Sequence, residues 1–336
     1  MPSKSKPRVY LVGTGGTISS VGADRMDYTN YSYLGNHLAI EEMLARAPET
    51  LEFAEVRSEQ FLNLGSPDVT PVHWLELAKR INQILREDSE AAGVVVTHGT
   101  ATLEETAYFL NLTVKDERPV VVTGAMRPPS SLGTDADVNL IDAIRVAAAP
   151  QSGRRGVLTI LNNQIQAARD VTKTNSFRLE TFQTSDFGFL GYADSDGEVV
   201  FYRRPDRAHT IDAEFDIEKV QNMPKVDIPF AYAGADGTVI KALVAAGVDG
   251  LVAAGLGSGG SPPPYMAALK EASDAGLPVV IATHTGSGRV MQTKRFAEAG
   301  YIVADNLAPK KARILLMLAL TLTSDKSEIQ RMMLTY

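Results

Sequence analysis

Residues 93–114, GVVVTHGTATLEETAYFLNLTV, predict a strand followed by a polar loop and a helix. The apolar run at 93–97 is rich in valine and ends at Thr97, which is typical of a buried strand. Glu105 follows Thr102 by three residues, a spacing that favours a capping box at the start of a helix. This strand-loop-helix unit is the building block of a parallel sheet that is covered on both faces by helices.

The same alternation continues on both sides of this unit. In the first half of the chain, further buried strands are predicted at 9–12, 119–123 and 156–161, and further helices at 71–86 and 137–148. From residue 224 onward, strands are predicted at 226–233, 250–254, 278–283 and 301–303, and helices at 237–246, 264–275, 309–322 and 325–334. The segment 203–224 at the junction of the two halves is charged, contains Pro205 and Pro224 and has no clear period, so it is predicted to be a linker.

Composition narrows the functional class. The 336 residues carry 40 acidic and 33 basic side chains, a formal net charge of −7, which argues against nucleic acid as the main partner because phosphates favour a basic surface. The absence of cysteine excludes a disulfide framework, a thiol nucleophile and thiolate metal ligands. The five histidines show no spacing typical of a metal site, so no metal is expected.

The N-terminal segment bears on location. Residues 1–8 are polar and basic. The apolar run that follows ends before Gly13, so it is too short for the apolar region of a secretory signal. The apolar run at 314–322 is too short to cross a bilayer. We therefore expect a cytoplasmic protein without membrane contact, although a periplasmic protein whose signal had been removed would have the same sequence.

Three loops that directly follow predicted strands are candidates for a ligand site, since ligands of open parallel sheets bind beyond the carboxyl ends of the strands. Residues 13–18, 97–102 and 123–128 supply glycines, hydroxyl groups and backbone N–H donors. The first loop has isoleucine at position 18 where a dinucleotide fingerprint has glycine, so a nucleotide site is only weakly indicated. By itself, Thr17 in this loop is more typical of a turn or helix-cap residue than of a nucleophile.

A threonine hydroxyl needs a base or a proton path to act as a nucleophile. Lys173, which follows the strand predicted at 156–161 and is flanked by small polar residues, is a candidate if its environment keeps the amine uncharged. An isolated lysine in such a stretch is more often a solvated surface residue. Both interpretations of Lys173 are open on the residues alone.

The chain resembles the bacterial-type L-asparaginase family, which includes the glutaminase-asparaginases. The similar segments extend over nearly the whole chain: TGGTI at 14–18, GSPD at 65–68, VVTHGT at 95–100 with LEETA at 103–107, GAMRP at 124–128, DVTKT at 170–174 and LAPKKAR at 307–313. The first and third of these segments are specific signatures of the family.

The resemblance implies catalytic roles by position. Thr17 corresponds to the threonine that attacks the side-chain amide carbon and forms an acyl-enzyme. Thr100 and Lys173 correspond to the hydroxyl and lysine that move protons and position water. A tyrosine on the loop after Thr17 normally assists the nucleophile, and Tyr31 is favoured over its neighbours Tyr28 and Tyr33 by its spacing to the helix predicted near residue 39.

The resemblance also implies a substrate-binding set, in which this sequence departs from the family twice. The set is Gly16, Ser66, Pro67, Gly99 and Ala101, with Ser66 corresponding to the serine that holds the substrate α-carboxylate. Ala101 stands where the family has an aspartate that pairs with the α-ammonium, and Pro67 stands where glutamine is common. Loss of one partner of a buried charge pair typically costs several kcal/mol.

Three carboxylates are possible replacements for the missing aspartate: Asp68, Asp135 and Asp137. Alternatively, the natural substrate is an amide that lacks the α-ammonium, or the alanine was introduced to weaken catalysis. The histidine before Gly99, His98, is expected to be a structural hydrogen-bonding residue. Glu104 and Glu105 are expected to serve the start of their helix.

Together, the residues and the resemblance predict an α/β fold with two domains. The first is a larger, flavodoxin-like or Rossmann-like domain over residues 1–202 with a mostly parallel sheet, the linker covers 203–223, and the second is a smaller parallel α/β domain over 224–336. The expected function is hydrolysis of the side-chain amide of L-asparagine without metal or organic cofactor. The family implies a homotetramer, a dimer of dimers. The alternatives are an amidase for a related small-molecule amide, a weakly active ligand-binding paralogue and, less favoured, a nucleotide-binding protein.

Overall fold

The computed structural model describes residues 5–336, which form two compact units. The first unit ends at Asp212 and the second extends from Ala213 to Tyr336. The division therefore falls inside the segment 203–223 that is predicted to be a linker. This segment has no long helix or strand. Three of its side chains, Thr210, Phe215 and Ile217, are nevertheless buried from solvent.

The first unit is built on a large, mostly parallel sheet. Its strands are β1 (Arg8–Gly15), β2 (Glu55–Leu64), β3 (Ala91–Thr97), β4 (Val120–Thr123), β5 (Val157–Leu161), β6 (Gln164–Ala167), β7 (Thr172–Lys173), β8 (Phe182–Gln183), β9 (Gly191–Ala193) and β10 (Val199–Phe201). Among the described residues, eight of them form one sheet in the order β10-β9-β6-β5-β4-β3-β1-β2, and β7 and β8 form a separate pair. The first five strands are parallel to one another, and β6, β9 and β10 extend the sheet with antiparallel neighbours.

The order of the parallel strands determines where a ligand can bind. It reads β2-β1-β3-β4-β5, the flavodoxin-like order, in which the chain reverses its direction of progress between β1 and β3. The connections from neighbouring strands leave on opposite faces at such a switch point, so a crevice opens between their carboxyl ends. The loops that begin at Gly16 and His98 therefore flank this crevice.

Helices cover both faces of the first sheet. They are α1 (Ile40–Ala45), α2 (Thr50–Phe53), α3 (Pro71–Glu87), α4 (Leu103–Thr113) and α5 (Ala136–Ala148). Leu140 and Ile144 of α5 pack on alternate strand residues such as Leu11, Val95 and Val121, all fully or almost fully buried. Because side chains alternate between the faces of a strand, the intervening valines are buried under the opposite helices.

The second unit is a smaller parallel α/β domain. Its strands β11 (Val226–Asp227), β12 (Gly250–Gly255), β13 (Val279–Thr283) and β14 (Ile302–Val303) are adjacent in chain order and parallel. Its helices are α6 (Thr238–Ala245), α7 (Pro263–Asp274), α8 (Lys294–Glu298), α9 (Pro309–Ala319) and α10 (Lys326–Thr335). The predicted α/β fold, with a larger and a smaller parallel sheet, is confirmed.

Three details differ from the sequence-based expectations. The strand predicted at 226–233 pairs continuously only over β11, because Pro229 has no N–H to donate, and pairing resumes at the single bridge between Phe230 and Ala254. The edge strand β2, the antiparallel strands β6 to β10 and the short helices α2 and α8 are absent from the sequence-based expectations. The expected capping box at α4 is not formed, since the Thr102 hydroxyl donates instead to the Ser66 carbonyl at 2.8 Å.

In residues 5–336, none of the helices combines the length and apolar character that spanning a membrane requires.

Candidate active site

The loops after β1 and β3 approach each other backbone to backbone. Gly15 and Gly16 have φ of 100° and 91°, values that L side chains rarely adopt. A Cβ on Gly16 would lie 2.2 Å from Gly99 Cα, and one on Gly99 would lie 2.7 Å from Ser66 Cβ. The glycines thus allow the residues that follow them, Thr17 and Thr100, to start from adjoining points of the crevice.

This contact predicts different outcomes for two glycine substitutions. Gly16→Ala is expected to destabilise the protein by more than about 4 kcal/mol, because its methyl group would overlap the backbone of the neighbouring loop. Gly35 also has a positive φ, 67°, but no atom lies within 4 Å of its ideal Cβ, so it is the matched control. Gly35→Ala carries only the backbone strain, about 1 kcal/mol. Urea unfolding of both variants measures the difference, and equal costs would contradict the close approach.

Thr17 is paired with a tyrosine. It opens a single 3₁₀ turn, Thr17–Ser19, and its Oγ1 lies 3.0 Å from the Tyr31 hydroxyl. Of the other two candidate tyrosines, Tyr28 donates to the Leu132 carbonyl at 3.0 Å and Tyr33 is 88% exposed. Tyr31 is therefore the loop tyrosine that reaches Thr17.

The segment at 130–132 holds the loop that connects Thr17 to Tyr31, which we call the tyrosine loop. The Ser130 hydroxyl accepts from Gly22 N at 2.8 Å, and the Ser131 hydroxyl donates to the Asp27 carbonyl at 2.9 Å. Leu132 N donates to the Arg25 carbonyl at 2.9 Å. Three successive residues thus fasten the stretch that precedes Tyr31.

Thr100 and Lys173 form the second pair. Lys173 Nζ donates to Thr100 Oγ1 at 2.8 Å, although 73 positions separate the two residues in the chain. Lys173 is half-buried on β7, and Thr100 is buried directly after β3. Together with the contact of Gly16 and Gly99, this brings a threonine–tyrosine pair and a threonine–lysine pair to one sheet edge.

Glu104 has a larger part in this arrangement than the sequence indicates. Its side chain is completely buried, Oε2 accepts from Thr172 Oγ1 at 2.9 Å, and Oε1 lies 3.4 Å from Lys173 N. The sequence-based expectation that Glu104 only serves the start of its helix is incomplete. Nothing in the local sequence LEETAYFLNLT distinguishes Glu104 from Glu105, although a glutamate that is fully buried usually has a partner.

The predicted substrate-binding residues surround Thr100. Ser66 is buried and its Oγ accepts from Ala101 N at 3.2 Å. Pro67 is exposed in the short 3₁₀ helix Ser66–Asp68, and the Ala101 side chain is also exposed. The loop that carries Ser66 is tied to the loop that carries Ala101, and both border the crevice.

The three carboxylates considered as replacements for an aspartate at position 101 differ in availability. Asp135 accepts from the backbone N–H groups of Met126 and Arg127, at 3.0 and 2.9 Å. Asp137 forms an ion pair with Arg46 at 2.8 Å. Asp68 is exposed and lies two residues after Ser66. Two of the three are therefore engaged in other contacts, and Asp68 is the one that remains beside the crevice.

A buried chain of hydrogen bonds supports the loop after β3. His98 is fully buried, its Nδ1 lies 2.8 Å from the Gly99 carbonyl, and its Nε2 lies 2.9 Å from Thr106 Oγ1. The carbonyl can only accept, so Nδ1 carries the proton and Thr106 donates to Nε2. Trp74 Nε1 in turn donates to Thr106 Oγ1 at 2.9 Å. This chain confirms that His98 is a structural hydrogen-bonding residue.

The burial of His98 in this hydrogen-bond chain predicts that the folded protein loses stability in mild acid. Burial, opposed by the Gly99 carbonyl, lowers the pKa of His98 to about 4, so the unfolded state binds a proton at higher pH than the folded state does. The stabilising contribution is complete above pH ~6.5 and is lost as the pH falls toward ~4, by about 3 kcal/mol in total. Urea unfolding across this range checks it, with His98→Gln as the reference. Parallel stability curves for the two proteins would contradict the prediction.

The part of the chain that the structure describes contains no candidate metal site. Within residues 5–336, no three His, Asp or Glu side chains come together in a way that could hold a metal ion. The groups that converge at the crevice are hydroxyls, an amine and backbone N–H donors. Such groups can position a carbonyl, attack it and move protons.

Comparisons with protein families match both units. Residues 8–207 match the family model "Asparaginase, N-terminal", and residues 225–333 match "Glutaminase/Asparaginase C-terminal domain". Both matches together cover most of the chain.

Similar proteins and a similar solved structure agree with these matches. L-asparaginase 2 of Bacillus subtilis is 40% identical over 327 residues, which cover 97% of this chain and 86% of that protein. L-asparaginase 2 of Escherichia coli is 40% identical over 332 residues, covering 98% and 93%. The crystal structure of a probable cytoplasmic L-asparaginase from Campylobacter jejuni superposes with a TM-score of 0.91 at 39% identity, covering 98% of this chain and all of that one.

Proposed function

The chain belongs to the asparaginase family, and from this membership and its geometry we propose that it hydrolyses the side-chain amide of L-asparagine to L-aspartate and ammonia. It is an amidohydrolase, and the reaction passes through a threonine acyl-enzyme. The assignment of the individual steps to Thr17, Tyr31, Thr100 and Lys173 is part of the proposal.

One observation carries the assignment of roles. Two hydroxyl-bearing pairs, Thr17 with Tyr31 at 3.0 Å and Thr100 with Lys173 at 2.8 Å, lie on loops that touch through Gly16 and Gly99. A carboxamide bound between the loops has a hydroxyl nucleophile on one side and an amine-bearing proton path on the other. This is the arrangement that acyl transfer through a threonine requires.

In the acylation step, Thr17 Oγ1 attacks the carboxamide carbon. The new C–O bond gives a tetrahedral oxyanion. Its collapse breaks the C–N bond, while the hydroxyl proton passes through the neighbouring hydroxyl and amine groups to the nitrogen, which leaves as ammonia. The negative charge that develops on the carbonyl oxygen is stabilised by backbone N–H groups of the glycine loops. Each such donor typically contributes about 3–4 kcal/mol to the transition state.

In the deacylation step, water takes the place of ammonia. Thr100 positions the water against the ester carbon, and Lys173, 2.8 Å from Thr100 Oγ1, accepts the proton that the water loses. As the tetrahedral intermediate collapses, the C–O bond to Thr17 breaks and Thr17 Oγ1 takes the proton that Lys173 accepted. The carboxylic acid product releases its remaining proton to solvent and becomes a carboxylate. General acid–base assistance of this kind typically accelerates a reaction by about 10²–10⁴-fold.

Recognition of the substrate backbone is the step on which this chain departs from its family. Ser66 holds the α-carboxylate, while Ala101 supplies no charge for the α-ammonium. A primary amide without an α-amino group is therefore the second candidate substrate. The exposed Ala101 methyl group, beside the crevice, is the observation that favours it.

Ammonia release from L-asparagine and from succinamate, which lacks the amino group, separates the two candidates. Ala101→Asp is expected to lower KM for L-asparagine by about tenfold or more, because a charge-assisted hydrogen bond to the ammonium is gained. KM for succinamate should stay the same or rise. The side chain at 101 is exposed, so the aspartate can be accommodated without burying its charge.

Ala101→Asn is the matched control, since it has the same size without the charge. It should leave both KM values within about twofold of the wild type, as expected for a change that adds no ion pair. If Ala101→Asp brings no gain with L-asparagine, another group already binds the ammonium. If the wild type releases ammonia from neither amide, the proposed reaction itself is wrong.

We also propose a homotetramer, as the family resemblance implies. Large apolar side chains are exposed in the segments that follow β11, β12 and β13 along the chain: Phe230 at 56%, Leu256 at 37% and Met291 at 57%. Exposed apolar patches of this kind are typical of surfaces that other subunits cover. Sedimentation velocity measures the assembly, and a monomer at micromolar concentration would contradict the proposal.

A cytoplasmic location is proposed as well. It is supported by the Campylobacter jejuni neighbour, which is described as probably cytoplasmic, whereas a Haemophilus influenzae relative at 40% identity is described as probably periplasmic. Fractionation of the native host, with detection by antibody, distinguishes the two compartments.

A further inference from the structure

Lys173 is held by a small element that cannot be rigid by itself. β7 and β8 contain two residues each and pair only with one another among the described strands. A two-stranded pair of this size is at best marginally stable in water. Gln166 Nε2, which donates to the Phe182 carbonyl at 2.6 Å, ties β8 to the main sheet. β7 is linked to the end of β6 through the preceding turn, where Val171 N donates to the Ala167 carbonyl at 3.0 Å, so a contact to Thr172 and Lys173 themselves would add a second tie.

Glu104 supplies such a tie. Its carboxylate contacts both residues of β7, with Thr172 Oγ1 at 2.9 Å and Lys173 N at 3.4 Å. It also lies four positions after Thr100, on the first turn of α4. Glu104 therefore connects the backbone that follows Thr100 with the backbone of Lys173, the two segments whose side chains meet at 2.8 Å.

The burial of Glu104 exceeds what a helix start requires. A carboxylate on the first turn of a helix favours the helix dipole even when it is exposed. Glu105, on the same turn, is only half-buried, whereas Glu104 is completely buried. Burying a carboxylate is costly unless it is paired or hydrogen-bonded. Two of the contacts that compensate this cost are with β7.

We infer that Glu104 is a positioning residue for the hydrolysis, holding β7 through Thr172 and the Lys173 backbone so that Lys173 Nζ stays on Thr100 Oγ1. The inference rests on the proposed function for its catalytic consequence. It concerns a residue that does not touch the substrate and acts through Lys173.

The decisive variant is Thr172→Val, which keeps the shape of the side chain and removes its hydroxyl. It is expected to lower kcat by about tenfold with KM within about twofold, since small displacements of a proton-transfer group act on the transition state. Thr172→Ser, which retains the hydroxyl, should recover kcat to within about twofold of the wild type. A structural role alone would lower the melting temperature without this kcat–KM split or the recovery by serine.

Glu104→Gln separates geometry from charge. Glutamine can accept from Lys173 N through its oxygen and donate to Thr172 Oγ1 through its nitrogen, so kcat should stay within about fivefold of the wild type. Glu105→Gln is the matched control and should leave kcat within about twofold. A loss in Glu104→Gln at least as large as in Thr172→Val would show that charge, not position, is what Glu104 supplies, and would overturn the inference.

A crystal structure of Thr172→Val gives a readout that does not depend on activity. The distance from Lys173 Nζ to Thr100 Oγ1 should exceed hydrogen-bond range, about 3.5 Å. An unchanged distance would overturn the inference whether or not the enzyme is active. An inactive wild type would instead remove the proposed function, and the distance would still decide whether Glu104 and Thr172 position the lysine.

Discussion

Thr17→Ala is expected to lower kcat for ammonia release from L-asparagine by about 10⁴-fold or more, the scale seen when a catalytic nucleophile is removed. The hydroxyl of Thr17 is the group that forms the covalent bond in the proposed mechanism. Its partner Tyr31, 3.0 Å away, cannot replace it without moving the loop that segment 130–132 fastens. Initial rates of ammonia formation measure the loss.

Two controls accompany this variant. Thr29→Ala makes the same chemical change at an exposed position of the neighbouring loop and should leave kcat within about twofold. Thr17→Ser retains the hydroxyl and should keep much more activity than Thr17→Ala. Turnover by Thr17→Ala at the wild-type rate would exclude Thr17 as the nucleophile. The fold should persist in all three, since Thr17 is only half-buried.

The central strands could be predicted because their environment leaves a simple signature. β3, β4 and β5 are covered on both faces, so almost every side chain is apolar and the sequence shows continuous valine-rich runs. β2 lies at the edge of the sheet and has no fully buried residue. Its charged sequence, EVRSEQFLNL, carries no such signature, although the strand is longer than any other in the first sheet.

The candidate site was predictable in its parts but not in its connections. The rule that ligands bind beyond the carboxyl ends of parallel strands selects the loops at Thr17 and Thr100. Nothing local indicates that Lys173 returns to Thr100, because that contact depends on a two-residue strand stabilised from another element. The same applies to Glu104, since its partners Thr172 and Lys173 lie 68 and 69 positions away.

The choice among three loop tyrosines shows the same limit at short range. Tyr28, Tyr31 and Tyr33 have similar local sequences, and spacing alone favours Tyr31. What separates them physically is the fastening of the loop, which turns Tyr28 to the Leu132 carbonyl and leaves Tyr33 in solvent. These contacts form across about 100 residues, so a local pattern carries little information about them.

Removal of either the Thr100 hydroxyl or the Lys173 amine is expected to lower kcat by about 10³-fold, the middle of the range for general acid–base groups. Thr100→Val keeps the shape of the threonine, and Lys173→Met keeps most of the length of the lysine. Lys115→Met is the matched control, because Lys115 donates to the Thr210 carbonyl and has no part in the proposed mechanism. It should leave kcat within about twofold.

The double variant, Thr100→Val with Lys173→Met, tests whether the two residues serve one shared proton path. If Lys173 acts only through Thr100, at 2.8 Å, loss of one makes the other ineffective, and the double variant should be within about tenfold of the weaker single variant. Independent contributions would instead multiply to a loss of about 10⁶-fold. That result would contradict a shared proton path and would assign Lys173 a separate task, such as direct contact with the leaving nitrogen. Pre-steady-state measurement of acyl-enzyme formation would then locate the step at which the lysine acts.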